Sequence, residues 1–216
     1  MTWSAVGLGM LTGLGVTLQI FAGGVILAIL LGMPLAAARR SGSGVLRFAG
    51  AGVSMLMRGI PPVVWILLIY YGFKLELFRD YPQGAAILAL GIVTAAYVCD
   101  AIRAGLDSVP RGQGEAAKAL ALGWPSTMWQ VILPQAFPII LSTTTAYSIT
   151  LLKNSALASI VAVADLMFYA HAAVMRGMPP LATYFAAGAA YLLIALPLGF
   201  LVKWLEGRSV IAQVRS

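Results

Sequence analysis

Two charged side chains lie inside apolar segments, where an ionised group is costly and usually functional. Arg58 falls within the second apolar run and Asp100 within the third. Asp100 precedes Pro110 by ten residues, which places it about 15 Å into a membrane helix, near the bilayer centre. A guanidinium and a carboxylate complement the carboxylate and ammonium groups of an amino acid, so both residues are predicted to contact a polar substrate.

Each of these charges also has a structural interpretation, and both alternatives stay open. An ion pair with Arg103 or Arg58 would explain a carboxylate at position 100 of an apolar segment equally well. Arg58 could instead extend its guanidinium group to the inner membrane surface from a short second helix.

Three further features belong to the same candidate substrate site. Gly59 and Pro61 follow Arg58 and interrupt the helix, which is tolerated at membrane depth where the backbone lines a cavity. Tyr97 precedes Asp100 by about one helical turn, and Asn154 lies near the outer end of the fourth apolar run. Tyr97 and Asn154 are predicted as additional substrate contacts, with packing as the alternative for the aromatic ring.

The composition excludes several function classes. Of the residues, 61% are hydrophobic and only 10% are charged, whereas soluble proteins carry about 25% charged residues. The basic residues flank apolar segments, which indicates membrane topology rather than nucleic-acid binding. One cysteine, Cys99, and one histidine, His171, predict no disulfide and no metal site. The sequence has no phosphate-binding loop and no catalytic cluster, so no enzyme activity and no cofactor are expected of this chain.

Five apolar segments are long enough to cross a bilayer, which needs about 20 residues. They are Leu8–Ala38, Val45–Phe73, Gly84–Leu106, Pro134–Leu152 and Leu181–Leu205. Residues 156–175 either continue the fourth span or form an outer-surface or re-entrant helix. The N-terminus lacks signal-peptide features, so the first span is expected to be retained. Residues 1–216 are predicted to form one all-α transmembrane domain.

The basic residues also predict an orientation. With the N-terminus outside, nine lie on the inner side: Arg39, Arg40, Arg47, Arg103, Arg111, Lys118, Lys203, Arg208 and Arg215. Four lie on the outer side: Lys74, Arg79, Lys153 and Arg176. The positive-inside rule therefore favours an outer N-terminus and a cytoplasmic C-terminus.

The loop at about 110–134 combines a helix of small residues, a Gly-Trp-Pro break and a short second helix. Ala116, Ala119 and Gly123 share one face by helical spacing, which lets another protein approach the backbone closely. Glu115 is predicted in the first turn of the first helix, where a carboxylate complements the helix dipole.

The second helix of this loop has its own predicted boundaries. Ser126 is expected to cap its start, and Pro134 is expected to end it.

Motifs in a fixed order extend over nearly the whole chain. They are Gly15-Val16-Thr17-Leu18-Gln19, Arg58-Gly59-Ile60-Pro61-Pro62, Leu68-Ile69-Tyr70-Tyr71-Gly72, Ala96-Tyr97 with Asp100 and Arg103, Ser108-Val109-Pro110-Arg111-Gly112-Gln113, Glu115-Ala116-Ala117 to Leu133-Pro134-Gln135-Ala136, and Leu151-Leu152-Lys153-Asn154-Ser155. Together they resemble the permease subunit of ATP-binding-cassette (ABC) importers for polar amino acids, the group that includes histidine, glutamine, arginine and cystine systems. The resemblance implies a type I importer permease fold in the bacterial inner membrane, with a cytoplasmic coupling helix.

The resemblance also implies partners. The coupling residues Glu115, Ala116, Ala117 and Gly123 would dock into a separate ATPase dimer, which carries the ATP and Mg²⁺. A second permease copy or a paralogous permease would complete the path, and an extracytoplasmic substrate-binding protein would deliver the amino acid.

Three residues depart from the family pattern. Ala121 replaces a glycine six positions after Glu115, so the break between the two loop helices is expected to shift toward Gly123. Ile60 replaces a threonine and Asp100 a glutamate, which bears on substrate identity. The alternatives to an amino-acid importer are an ABC permease for an osmoprotectant or other small solute, and a passive channel, which would not need the loop.

Overall fold

The computed structural model describes residues 2–73, 78 and 80–214, and of residues 205, 206 and 208–214 only the backbone. Every regular element within these ranges is helical. The first elements are α1 (Trp3–Arg39), α2 (Gly44–Gly59), α3 (Pro62–Leu67) with a π-helical turn at Leu68–Gly72, and α4 (Pro82–Asp107). The remaining elements are α5 (Arg111–Ala119), α6 (Trp124–Ser126) with a π-helical turn at Thr127–Ile132, α7 (Leu133–Asn154), a 3₁₀ helix at Ser155–Val161, α8 (Leu166–Met175) and α9 (Pro180–Val214).

The apolar helices that the structure describes form between three and five candidate membrane spans, where the sequence predicted five. Within the described ranges, α1, α4 and the part of α9 from Pro180 to Trp204 are each long and apolar enough to cross a membrane. Two bent helix pairs raise the total to as many as five: Gly44–Gly59 with Pro62–Gly72, and Trp124–Val161 with Leu166–Met175.

The second predicted span, Val45–Phe73, is not a continuous helix. Its two halves meet at 94°. Pro61 disfavours a helical conformation in the preceding residue, and Ile60 accordingly adopts φ −93° and ψ 128°. The Trp65 indole N–H donates to the Met57 carbonyl oxygen across the break, at 3.2 Å. The sequence located this interruption but did not predict so sharp a bend.

Residues 156–175 also form a bend. The 3₁₀ helix ends at Ala162, whose φ of +60° is left-handed. The helix α8 then departs at 50° from the helix before it. Asp165 caps the start of α8, because its Oδ1 accepts a hydrogen bond from the Phe168 N–H at 2.7 Å. The predicted alternatives therefore stay open: these residues continue the fourth span with a bend or form a separate helix beyond it.

The central helix is α4, which packs against α1, α2, α3 and α7. Ion pairs join α1 to α4 near the C-terminal ends of both helices. We call that end of the bundle the loop end, because residues 110–134 connect to it. Small side chains let α1 and α4 approach closely: a Cβ at Gly32 would lie 2.9 Å from the Ala95 carbonyl oxygen. Such close backbone packing is a main source of helix association in lipid.

The helices α1 and α8 make a similarly close contact away from the loop end. A Cβ at Gly13 would lie 2.5 Å from the backbone carbonyl group of Asp165. Thr17 Oγ1 accepts a hydrogen bond from the Leu166 N–H at 3.1 Å and donates one to the Gly13 carbonyl oxygen at 3.0 Å. A glycine at position 13 is therefore required for α8 to sit against α1.

Replacing Gly13 tests this contact. Gly13→Ala is expected to lower the stability of the folded chain by about 1–3 kcal/mol, because the backbone of Asp165 must move. For a chain of this length the melting temperature in detergent should fall by about 2–12 °C. Gly15→Ala is the matched control, since nothing lies within 4 Å of a Cβ there and alanine favours the helix. Equal melting temperatures for the two variants would contradict the contact.

Candidate functional site

One carboxylate at the loop end joins three helices. Asp100 Oδ1 lies 2.5 Å from Arg39 Nη1, and Asp100 Oδ2 pairs with Arg58 Nη1. Arg103 Nη1 lies 3.7 Å from Asp100 Oδ1. Arg39 ends α1, Arg58 lies in the last turn of α2, and Asp100 and Arg103 belong to α4. All four side chains are partly buried, and we call them the Asp100 junction.

The junction fixes α2 to the rest of the bundle. Arg39 Nη1 also donates to Ser54 Oγ on α2 at 3.4 Å, and the Arg39 stem packs over Gly50. Much of the remaining α2 surface is apolar and exposed, with Phe48 at 83% exposure and Met55 at 75%. The polar contacts of Arg39 and Asp100 therefore position the C-terminal half of α2.

The structure brings three of the predicted substrate-site residues together. Arg58 Cζ lies 5.8 Å from the centroid of the Tyr97 ring, within the range of a cation–π interaction. Tyr97 stacks on Tyr147 of α7, with ring centroids 4.9 Å apart. Both structural partners considered for Asp100, Arg58 and Arg103, are present. The sequence analysis missed Arg39 as a partner of Asp100, because this arginine directly follows an apolar run and was counted with the flanking basic residues.

Asp100 lies closer to the loop end than predicted. The helix α4 ends at Asp107, which places Asp100 about 10 Å from that end. Arg40 pairs with Asp107 at the same end. The predicted distance of about 15 Å counted non-helical residues up to Pro110 as part of the helix and is therefore too long. The depth of Asp100 in the bilayer stays a prediction.

Asn154 lies apart from the other predicted substrate residues. It is the last residue of α7, seven residues and about 10 Å beyond Tyr147 along the helix axis. Thr143, Tyr147, Thr150 and Asn154 recur at helical spacing and therefore share one face of α7. All four are at least partly exposed. A role for Asn154 in substrate binding stays a prediction.

A second buried carboxylate, which the sequence analysis missed, lies in the other half of the bundle. Asp165 is fully buried, and the Tyr191 hydroxyl lies near it and near the hydroxyls of Thr17 and Ser155. Neither Asp165 Oδ2 nor the Tyr191 hydroxyl has a hydrogen-bond partner among the described residues. An acidic residue directly before an apolar helical run was the available signal, and it indicates only the helix cap. We call Asp165, Tyr191, Thr17 and Ser155 the Asp165 cluster.

The first helix of the 110–134 loop differs in detail from its prediction. It begins at Arg111, so Glu115 lies in the middle of the helix and not in its first turn. Ala117 is buried, whereas Glu115 and Ala116 are exposed. Gly123 is extended, at φ −66° and ψ 161°, so it lies outside the helix and does not share a helical face with Ala116.

The turn after this helix is formed at Ala121 and is not displaced to Gly123. Ala121 adopts a left-handed φ of 54°. Its N–H donates to the Lys118 carbonyl oxygen at 2.9 Å, and the Leu122 N–H donates to that of Ala117 at 3.0 Å. This is the Schellman pattern, in which glycine usually occupies the left-handed position. An alanine there costs about 1–2 kcal/mol.

The second loop helix is the start of a much longer helix. Gly123, not Ser126, precedes its first residue, and the Thr127 hydroxyl donates to the Gly123 carbonyl oxygen at 3.1 Å. The helix continues through the π-helical turn into α7, so Pro134 does not end it. Pro134 is accommodated in the first turn of α7, because a π-helical turn already alters the backbone bonding there.

Large apolar side chains are exposed around this turn. Leu120, Trp124 and Trp129 are 74%, 73% and 71% exposed, respectively. We call these three residues the loop tip. They connect through short segments to α4 on one side and α7 on the other, so a force on the tip acts on both helices.

Comparison with known proteins gives matches over nearly the whole chain. Residues 24–210 match the family model described as binding-protein-dependent transport system inner membrane component. The chain is 33% identical over 200 residues to the arginine transport system permease protein ArtQ of Bacillus subtilis, covering 91% of this chain and 90% of that protein. It is 33% identical over 209 residues to the glutamate/aspartate import permease protein GltK of Escherichia coli O6:H1, covering 93% of each. Its fold matches a chain in the crystal structure of an amino acid ABC transporter with histidines, with a TM-score of 0.82, 30% identity and coverage of 93% and 94%.

The Asp100 junction predicts that removing the charge of Asp100 lowers the stability of the protein more than removing that of Asp107. Asp100→Asn should lower the free energy of unfolding by about 1.5–3 kcal/mol, because the surrounding guanidinium groups lose their shared counter-charge. Asp100→Glu keeps the charge and should remain close to wild type. Asp107→Asn is the matched control, since its pair with Arg40 is largely exposed and such pairs contribute about 0–1 kcal/mol. Thermal unfolding in detergent measures all three, and equal stability of Asp100→Asn and Asp107→Asn would refute the role of the junction.

Proposed function

This chain belongs to the family of binding-protein-dependent transport system inner membrane components, and on that premise we propose that it is the transmembrane subunit of an ABC importer for a polar amino acid. The observation that carries the proposal is the exposed apolar loop tip. The relatives described above are permeases for arginine and for glutamate/aspartate, which favours an amino acid over an osmoprotectant or another small solute.

The loop tip is suited to binding a separate ATPase dimer. Exposed apolar patches of this kind mark protein interfaces, and the absent side chain of Gly123 leaves room for the partner to approach. Glu115 and Ala116 are exposed beside the tip, whereas the buried Ala117 supports the helix from within. The sequence has no phosphate-binding loop, so ATP and Mg²⁺ belong to the ATPase in this proposal.

The distribution of basic residues supports a cytoplasmic loop in the bacterial inner membrane. Arg39, Arg40 and Arg103 lie at the loop end, near or within the Asp100 junction. Lys153 lies at the end of α7, after that helix has crossed the bundle. Arg176 follows the short helix α8, whose residues pack near the N-terminal part of α1 at the same opposite end. The positive-inside rule then gives a cytoplasmic C-terminus and an outer N-terminus, which presents the loop tip to a cytoplasmic ATPase.

The polar face of α7 supports a path shared with a second permease, either a copy of this chain or a paralogue. Tyr147 and Thr150 lie on this face and are partly exposed, and polar groups in a membrane helix normally face a protein interior or an aqueous cavity. A facing subunit would enclose them, with Asn154 at the outer end of the same face. A substrate-binding protein would deliver the amino acid to that end.

The substrate ammonium group fits Asp165 better than Asp100. Both oxygens of Asp100 are already engaged by Arg39 and Arg58. Asp165 Oδ2 has no partner among the described residues, and burying a carboxylate oxygen without a partner is costly. We therefore assign the ammonium contact to Asp165, which is fully buried in this structure and would be reached only when the surrounding helices separate during transport. We retain Arg58 and Tyr97 as candidate contacts nearer the loop end.

Uptake into proteoliposomes tests the proposed function. The chain, reconstituted with its ATPase and binding protein, should accumulate a labelled polar amino acid only when ATP is supplied on the loop side. Asp165→Asn preserves the capping oxygen and removes the charge, so uptake should fall about ten- to a hundredfold while the complex still assembles. Asp80→Asn, an exposed acid at the outer end, is the control and should transport normally.

Three outcomes would count against the proposal. Equilibration of the amino acid without ATPase would identify a passive channel. If the assembled complex accumulates none of the polar amino acids, a polar amino acid is not the substrate. Normal uptake by Asp165→Asn, or its failure to assemble, would remove Asp165 as the ammonium contact.

A further inference from the structure

A cavity of about 560 Å³ opens at the loop end, outside both the Asp100 junction and the Asp165 cluster. It lies where α1 and α4 end and where α5 and the helix leading into α7 begin. Its lining combines charged and apolar side chains: Arg40, Asp107, Arg111, Leu106, Met128 and Ile132. Its volume lies in the range of about 300–1,000 Å³ that holds small-molecule ligands in other proteins.

The charges of this cavity favour an anion. Arg40 and Asp107 neutralise each other in an ion pair. Arg111 has no hydrogen-bond or ion-pair partner within the part of the chain that the structure describes. The lining therefore has one unbalanced positive charge, carried by a guanidinium group whose geometry suits bidentate binding of phosphate or carboxylate oxygens.

The apolar part of the lining favours an amphiphile over a free ion. Leu106 lies near the end of α4, and Ile132 lies in the turn that leads into α7, so an apolar wall adjoins the charged border of the cavity. An inorganic anion would leave this apolar wall in contact with water. A phospholipid would place its phosphate at the border and its first acyl methylene groups against the wall.

We propose that this cavity binds the headgroup of an anionic phospholipid, with the phosphate on Arg111 and the acyl chains beside Leu106 and Ile132. Basic pockets between membrane helices on the cytoplasmic side bind anionic headgroups in this way. The bound lipid would connect α5, which carries the coupling residues, to the ends of α1 and α4. The proposal depends on the membrane location of the chain and not on which substrate it carries.

Native mass spectrometry of the full-length chain tests the proposal. The protein is released from micelles that contain equal amounts of phosphatidylglycerol and phosphatidylcholine, and retained lipid is counted. Wild type should retain phosphatidylglycerol preferentially. Arg111→Gln should retain it about fivefold less, the effect of one cationic side chain on an anionic headgroup. Arg111→Lys keeps the charge and should recover most of the binding. Lys203→Gln removes an exposed charge near the loop end outside the cavity and should match wild type.

Several results would overturn the proposal. Equal retention by Arg111→Gln and wild type would exclude Arg111, provided that circular dichroism shows both to be folded. An equal loss in Lys203→Gln would indicate attraction by overall charge and not a site. Full displacement of phosphatidylglycerol by millimolar inorganic phosphate or glycerol phosphate would identify a site for a soluble anion in place of a lipid.

Discussion

The arrangement of the loop end depends on one carboxylate that guanidinium groups on three helices share. A charged group inside an apolar helix needs an oppositely charged partner within the protein. The single carboxylate of Asp100 is that partner for both Arg39 and Arg58. The helix α2 ends at a 94° break, so a charged contact is needed to hold its end in place. The same contact brings Arg58 over Tyr97 and thereby connects α2 to the tyrosine pair between α4 and α7.

The two membrane carboxylates have contrasting surroundings, and the difference suggests a division of roles along the bundle. Asp100 is saturated by cationic partners and stabilises the loop end. Asp165 has an unpartnered oxygen among hydroxyl groups in the other half. The helices α4 and α7 run between these regions and carry the loop tip between them. A displacement of the tip by an ATPase would therefore be transmitted to the polar face of α7.

The sequence predicted the family and the all-α permease fold, and the structure and comparisons confirm both. The predicted five spans are matched only if each bent helix pair counts as one span. These features depend on apolar length and on ordered motifs, which are local properties. The wrong or missed predictions concern features that depend on contacts between different helices or on the conformation of a turn. The partner of Arg39 depends on helix packing, and the left-handed Ala121 depends on a turn that usually selects glycine. The sequence analysis missed Asp165 because its burial by α1 and α9 depends on residues more than twenty positions away.

The central claim is that the loop tip binds a separate ATPase, and photo-crosslinking in intact cells tests it most directly. A photoreactive phenylalanine derivative at Trp124 should form an adduct with a cytoplasmic ATPase subunit. The same probe at Phe185, an exposed apolar residue of α9 in the other half of the bundle, should not. An adduct at both positions, or no ATPase adduct at Trp124 when the permease is correctly inserted, would contradict the account.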